Sequence, residues 1–84
     1  MADEPPNSFE ALLGWQRARI LWGLDAQQRP SQIAEALRMV PAGVTHHLGR
    51  LEAAGLVIRK RRGRHVVVER TARGTALRGL YAED

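Results

Sequence analysis

Five cations, Arg59, Lys60, Arg61, Arg62 and Arg64, stand within six consecutive positions, broken only by Gly63. Like charges packed this densely repel one another, and a polyanion relieves that repulsion, so the chemistry the run is suited to is phosphate contact. Strand alternation sends Arg59 and Arg61 to one side and Lys60 to the other, so one phosphate backbone cannot take all five. His65 follows directly and extends the same surface.

The pair His46-His47 invites a metal or a catalytic reading, and neither survives the geometry. Neighbouring residues on a helix point about 100° apart, so the two rings cannot chelate one ion. No Ser, Asp or Glu at helical spacing completes a nucleophilic triad or a zinc triplet. The chain has no cysteine, which removes disulfides, thiolate metal sites and cysteine nucleophiles together. The sequence therefore points to no enzyme, no catalytic residue, no metal and no cofactor. His47 reads as a half-buried packing residue.

The elements that must hold these residues follow from local signals. Pro41 suits the first turn of a helix, where its missing N–H leaves nothing unpaired, and Gly55 suits the left-handed residue that stops one. A helix over 41–54 results. With Val44, Leu48 and Leu51 turned inward, Ala42 and His46 fall on the opposite face, with Thr45 and Arg50 on its shoulders. Thr45 and His46 can hydrogen-bond bases or phosphates, Ala42 can meet a thymine methyl, and Arg50 reaches phosphate. A preceding helix capped by Ser31 carries Ile33, Leu37 and Val40 at i, i+4, i+7, beside Ala34. After Gly55, Leu56–Arg61 and Arg64–Arg70 read as strands joined by Arg62-Gly63. That loop sets Val57 opposite Val68, Arg59 opposite Val66, Ile58 opposite Val67 and His65 opposite Lys60; which face turns inward is open. Helix, turn, helix and basic β-ribbon make a mainly α fold with a two-stranded β wing, a winged helix-turn-helix. In this plan the second helix enters a major groove while the ribbon holds phosphates or minor groove.

Residues 1–7 read as a disordered lead, with Asn7 or Ser8 capping a first helix, and residues 8–84 as a single domain. Whether 8–24 is one helix or two, with Gly14 as the break, is open. Residues 25–30 form a connection, and Thr71 caps a last helix over 72–81. The aromatics Phe9, Trp15, Trp22 and Tyr81, with Leu12, Leu77 and Leu80, lie in the terminal helices. Core filling is one account of them; pairing of two chains is the other, and is preferred because the central helices already supply an aliphatic core. Eighty-four residues suffice for one domain with a small core, which also favours dimerisation. Residues 1–35 carry three basic against five acidic groups and residues 36–84 carry ten against four, so the positive field is expected on the motif half. No apolar run reaches the roughly 18 residues of a membrane span, and the acidic start is unlike a signal peptide, which places the chain in the cytoplasm with no membrane partner.

Residues 17–69 resemble the small winged-helix repressors of the ArsR type. The residues that carry the likeness are Arg17-Ala-Arg-Ile-Leu21, Ile33-Ala-Glu-Ala-Leu37, Thr45-His-His-Leu48, Leu51-Glu-Ala-Ala-Gly-Leu-Val57 and Arg62-Gly-Arg64. Thr71-Ala-Arg-Gly-Thr-Ala-Leu77 is similar to the start of the C-terminal helix in MarR-type proteins. The resemblance implies a dimeric bacterial transcription regulator whose first and last helices pair the subunits; the leading reading is a repressor, and pairing about a two-fold axis makes its double-stranded DNA operator a near-palindrome. The Cys-containing sensor motif of the metal-responsive ArsR members is absent, so no effector follows from it, and Thr45 stands where Ser is typical. A winged helix that docks a protein partner, or a plasmid or phage replication or partition factor, is the alternative; a protein-docking wing would be neutral or acidic.

Overall fold

Gly14 decides the layout of the first third of the chain. In the computed structural model, which describes residues 4–82, its φ of 86° ends α1 (Asn7–Leu13) and opens α2 (Trp15–Trp22). Its N–H donates to the Glu10 carbonyl at 2.7 Å and its carbonyl accepts from Ala18 N–H at 2.9 Å, so one residue closes both turns. The segment left open as one helix or two is two. Pro6, which has no capping side chain, occupies the position expected of Asn7 or Ser8. The lead expected over residues 1–7 lies partly outside the described residues.

The next helix, α3 (Pro30–Leu37), starts one residue before the expected cap. Pro30 takes the first turn, Arg29 flanks it, and the Gln32 side chain accepts from Arg29 N–H at 2.8 Å, leaving Ser31 inside the helix rather than capping it. Arg38, left-handed at φ 55°, ends α3 in a Schellman turn: its N–H bonds the Glu35 carbonyl at 3.3 Å and Met39 N–H bonds that of Ala34 at 2.9 Å. The expected stripe is therefore cut short. Ile33 and Ala34 are buried and Leu37 packs at the margin, but Val40 lies outside the helix and is 72% exposed.

Helix α4 (Pro41–Ala53) matches expectation closely, with Pro41 in its first turn. Gly55, at φ 77°, closes it by a second Schellman turn in which Gly55 N–H bonds Glu52 and Leu56 N–H bonds Leu51, each at 2.9 Å. Strands β1 (Val57–Arg62) and β2 (His65–Arg70) then form an antiparallel hairpin. Its loop is Gly63-Arg64, not Arg62-Gly63: Gly63, at φ 61°, is the first loop residue, as in a type II′ turn. The register accordingly differs by two from the expected one, with Val57 opposite Arg70, Arg59 opposite Val68, Arg61 opposite Val66, Lys60 opposite Val67 and Arg62 opposite His65. A shift of two preserves the faces. Val57 and Val68 share the inward one and are buried, while Ile58 is exposed. Gln28, in the connection expected over residues 25–30, exchanges both backbone bonds with Val68, at 3.0 and 2.7 Å, and adds a bridge to the edge of β2.

Helix α5 (Ala72–Tyr81) is capped by Thr71 as expected. The Thr71 hydroxyl accepts from Gly74 N–H at 3.0 Å and donates to the Gly55 carbonyl at 2.6 Å, tying the start of α5 to the end of α4. Gly74 packs on the Leu56 backbone so closely that a Cβ would collide with the Leu56 carbonyl oxygen. Among the described residues, five helices and one two-stranded sheet thus form a winged helix-turn-helix around a core of Phe9, Ile20, Leu21, Val44, Leu48 and Leu51.

The terminal aromatics divide. Phe9 and Trp22 are buried in this chain's own core, and Phe9 meets both Trp22 and Tyr81 with ring centroids at 5.2 Å. Leu77 and Tyr81 pack against the same core. The aliphatic core leaves a gap that this cluster fills, so of the residues assigned to pairing, those left on the surface are Leu12, Trp15 and Leu80, at 52, 57 and 77% exposure. No helix among the described residues is long and apolar enough to cross a membrane.

Candidate nucleic-acid interface

One face of α4 is solvent-exposed and one is core. Val44, Leu48 and Leu51 are buried, while Ala42, Thr45, His46 and Arg50 are exposed, so the four residues singled out on the helix share the outer surface. The Thr45 hydroxyl donates back to the Pro41 carbonyl at 3.2 Å, which occupies its proton and leaves its lone pairs. His46 meets His47 edge-on, with centroids at 5.4 Å.

His47 is the point at which α4 is fastened to α2. Arg17 Nε donates to His47 Nδ1 at 3.1 Å, and His47 Nε2 lies 2.8 Å from Gln16 Oε1. An Nδ1 that accepts leaves the proton on Nε2, so the imidazole is neutral and donates to Gln16. Burial first, then the Arg17 charge, then His46, hold its pKa below the ordinary value. His47 is therefore more than packing. Sequence spacing gave no sign of the partnership, because Gln16 and Arg17 lie some 30 residues away.

On the wing, the five cations are not equivalent. Arg59 bonds Glu52 through Nε at 3.0 Å and through its terminal nitrogen at 2.7 Å, fastening the hairpin to the last turn of α4. Lys60 Nζ pairs with Glu69 at 2.6 Å, and Glu69 also accepts from Gln27 at 2.7 Å. The hydrogen bond from Arg59 holds the Glu52 carboxyl below the usual carboxylate range; Lys60 and Gln27 do the same to Glu69. Both acids are thus anionic at neutral pH and offset a cation each. Arg62 donates to the neutral Gln27 side-chain oxygen at 3.5 Å, and its charge adds to the lowering of the Glu69 pKa without forming a salt bridge among the described residues. Arg61 and Arg64 form no ion pair among the described residues, and His65 is exposed opposite Arg62.

Three further arginines of the basic half bond carbonyls at helix ends, structural work that the sequence did not indicate. Arg70 donates to the Leu21 and Trp22 carbonyls at 3.0 and 3.3 Å and pairs with Asp25 at 3.3 Å. Arg78 donates to the Trp22 carbonyl at 3.0 Å with its guanidinium 3.9 Å from the Trp22 ring centroid. Together they satisfy the C-terminal end of α2, where the carbonyl ends of the peptide dipoles favour cations. Arg73 donates to the Ala54 carbonyl at 3.1 Å, at the end of α4. Among the described residues no three His, Asp or Glu side chains gather as a metal site.

A family model described as a helix-turn-helix domain matches residues 16–60. No curated protein matches the sequence. Among solved structures the chain is similar to an apo form of ZitR from Lactococcus lactis, at 26% identity over 92% of this chain and 61% of that one, with a TM-score of 0.79. ZitR is a zinc-responsive MarR family member, and its structure in complex with DNA is similar at 25% identity over 81% of this chain and 51% of that one, TM-score 0.71. The transcriptional regulator BldR from Sulfolobus solfataricus is similar at 25% identity, covering 92% of this chain and 63% of its own, TM-score 0.79. The reduced form of the regulator YodB from B. subtilis is similar at 26% identity, covering 92% and 80%, TM-score 0.78. The chain spans about three fifths of the length of the ZitR and BldR chains.

Proposed function

We propose that this chain, which belongs to the helix-turn-helix domain family in its winged ArsR/MarR form, binds double-stranded DNA as a sequence-specific transcription regulator. The exposed face of α4 enters the major groove, with Ala42, Thr45 and His46 toward base edges and Arg50 toward phosphate. The wing arginines Arg61, Arg62 and Arg64 hold phosphates or minor groove beside it, with His65 next to them. The observation that carries the reading is the Glu52–Arg59 pair, which fastens the unpaired cations of the hairpin to the helix whose outer face is free. The complex of ZitR with DNA supports the same use of the fold.

The finer reading is a cytoplasmic repressor acting as a homodimer, with residues 8–84 as one unit and no reaction chemistry. Leu12, Trp15 and Leu80 supply the exposed apolar surface for pairing, and a two-fold axis makes the operator a near-palindrome whose half-sites lie about 10 to 10.5 base pairs apart or a multiple of that. Enrichment of bound duplexes from a random pool tests the DNA reading. A pool that yields no preferred site overturns sequence specificity, and a monomeric mass by light scattering at tens of micromolar overturns the dimer.

A further inference from the structure

Two local rules are broken at one exposed place. Val40 flanks the first turn of α4, where Ser, Thr, Asp or Asn side chains satisfy free N–H groups and Val is among the poorest choices; no side chain caps this helix. The same Val40 is 72% exposed, more than any other large apolar residue of the structure except Leu80. The sequence thus forgoes a polar cap in order to present two methyl groups to solvent at the leading end of the helix. Departures from local preference of this kind concentrate at functional positions. The residues that follow agree in character. Ala42 is exposed and apolar, and the hydroxyl proton of Thr45 is spent on the Pro41 carbonyl. Among the outward side chains of residues 40–46, His46 alone offers an N–H.

We propose that the tip of α4 reads C5-methyl groups of pyrimidines in the major groove, with Val40 and Ala42 as the contacting residues and thymine as the base. The inference rests on the DNA-binding reading above and specifies what that surface recognises. A thymine methyl is the one apolar feature of the major-groove edge, and it is met by small apolar side chains. A tip poor in donors gains little from guanine or adenine edges, whose acceptors need N–H or O–H partners. It gains from covering a methyl, because the apolar area of both sides leaves water. The same group on 5-methylcytosine presents the same contact.

The test uses the whole chain and the duplex it enriches from a random pool. Replacing thymine by deoxyuridine, one position at a time, removes the methyl and keeps the hydrogen-bonding edge. The expected result is a loss of about fourfold per contacted methyl at one or two adjacent positions of each half-site. Where the enriched base is thymine, a second duplex carries cytosine or 5-methylcytosine at that position, paired with guanine. Tighter binding of the methylated form shows that the methyl itself is read, and equal binding of the two overturns the proposal. Val40→Ala diminishes the deoxyuridine effect at one of those positions and leaves the salt dependence unchanged, since apolar area is removed and no charge is altered. Deoxyuridine without effect at every position, or an undiminished effect in Val40→Ala, overturns the proposal. Failure to enrich any duplex overturns instead the DNA-binding reading on which it stands.

Discussion

Replacing Glu52 by Gln should tighten DNA binding and steepen its salt dependence, although Glu52 lies outside the proposed contact surface. On the proposed contact surface the cations without a salt bridge among the described residues are Arg50 on α4 and Arg61, Arg62 and Arg64 on the wing, since Arg59 and Lys60 are paired with Glu52 and Glu69. The two protomers of the proposed dimer then bring about eight such charges, within the roughly 6 to 10 phosphate contacts that lose about 10³ to 10⁵ in affinity between 50 and 200 mM salt. Because hydrogen bonding from Arg59 keeps Glu52 ionised, Gln at this position removes a full negative charge per protomer. Its amide oxygen still accepts from Arg59, so the hairpin keeps its anchor and stability changes by only about 0 to 1 kcal/mol, as for exposed ion pairs. Each released cation adds about 0.9 to the slope of log affinity against log salt. The proposed dimer gains about 1.8, so lowering salt from 200 to 50 mM improves the variant about twelvefold more than the wild type. Fluorescence anisotropy of a labelled duplex at four salt concentrations measures this. A slope equal to that of the wild type, or flatter, refutes the division of the wing into paired and free cations.

Gly74→Ala should destabilise the fold by about 1 to 3 kcal/mol, the usual cost of overpacking, because the added Cβ meets the Leu56 carbonyl; an unchanged urea midpoint would contradict that close approach. His47, its pKa held below 6.5 in the folded chain, binds protons more readily when unfolded, so its contribution to stability is complete above about pH 6.5 and is lost as pH falls below that value. His47→Gln, which keeps a neutral hydrogen-bonding side chain, should flatten the change in urea midpoint between pH 7.5 and 5.5, and equal pH sensitivity in the two proteins would refute the assignment. Arg38→Gly should raise the melting temperature by a few degrees, since a left-handed non-glycine residue costs about 1 to 2 kcal/mol, less what glycine adds to unfolded-chain entropy; a lowered melting temperature would sink this account of the α3 turn.

The parts of the fold written in local chemistry were legible in the sequence. Pro41 and Gly55 bound α4 within one residue, Thr71 caps α5, and the Val44, Leu48 and Leu51 spacing gives the buried face. The hairpin register was not legible, for a definite reason. Glycine suits either loop position, and the two choices differ by a register shift of two, which leaves every side chain on its own face. The hydrophobic pattern is blind to that shift. Val40 was misplaced because it fits the helical spacing, while the residue that ends α3, Arg38, is an arginine in a conformation associated with glycine and so carries no warning. The outer face of α4 followed from periodicity alone. The link from His47 to Gln16 and Arg17 depended on how α2 crosses α4, which no local pattern encodes.

The same limit governs the electrostatics. Counting charges along the chain puts ten cations on residues 36–84, yet Arg70, Arg73 and Arg78 are spent on carbonyls at helix ends and Arg59 and Lys60 on carboxylates. The partners of Arg70 and Arg78 at the end of α2 lie 48 to 56 residues away, so their role arises only when α5 and β2 close over that helix end. Arginine suits this work because its planar fork serves several acceptors at once while its stem packs on apolar surface. The wing is therefore less positive than its composition, and Arg70 of β2 with Arg78 of α5 fastens the C-terminal end of the short helix α2. Stability and binding draw on the same residue type but not on the same residues. That separation is why Arg61→Ala should weaken DNA binding and leave the fold intact, whereas Arg70→Ala should do the reverse.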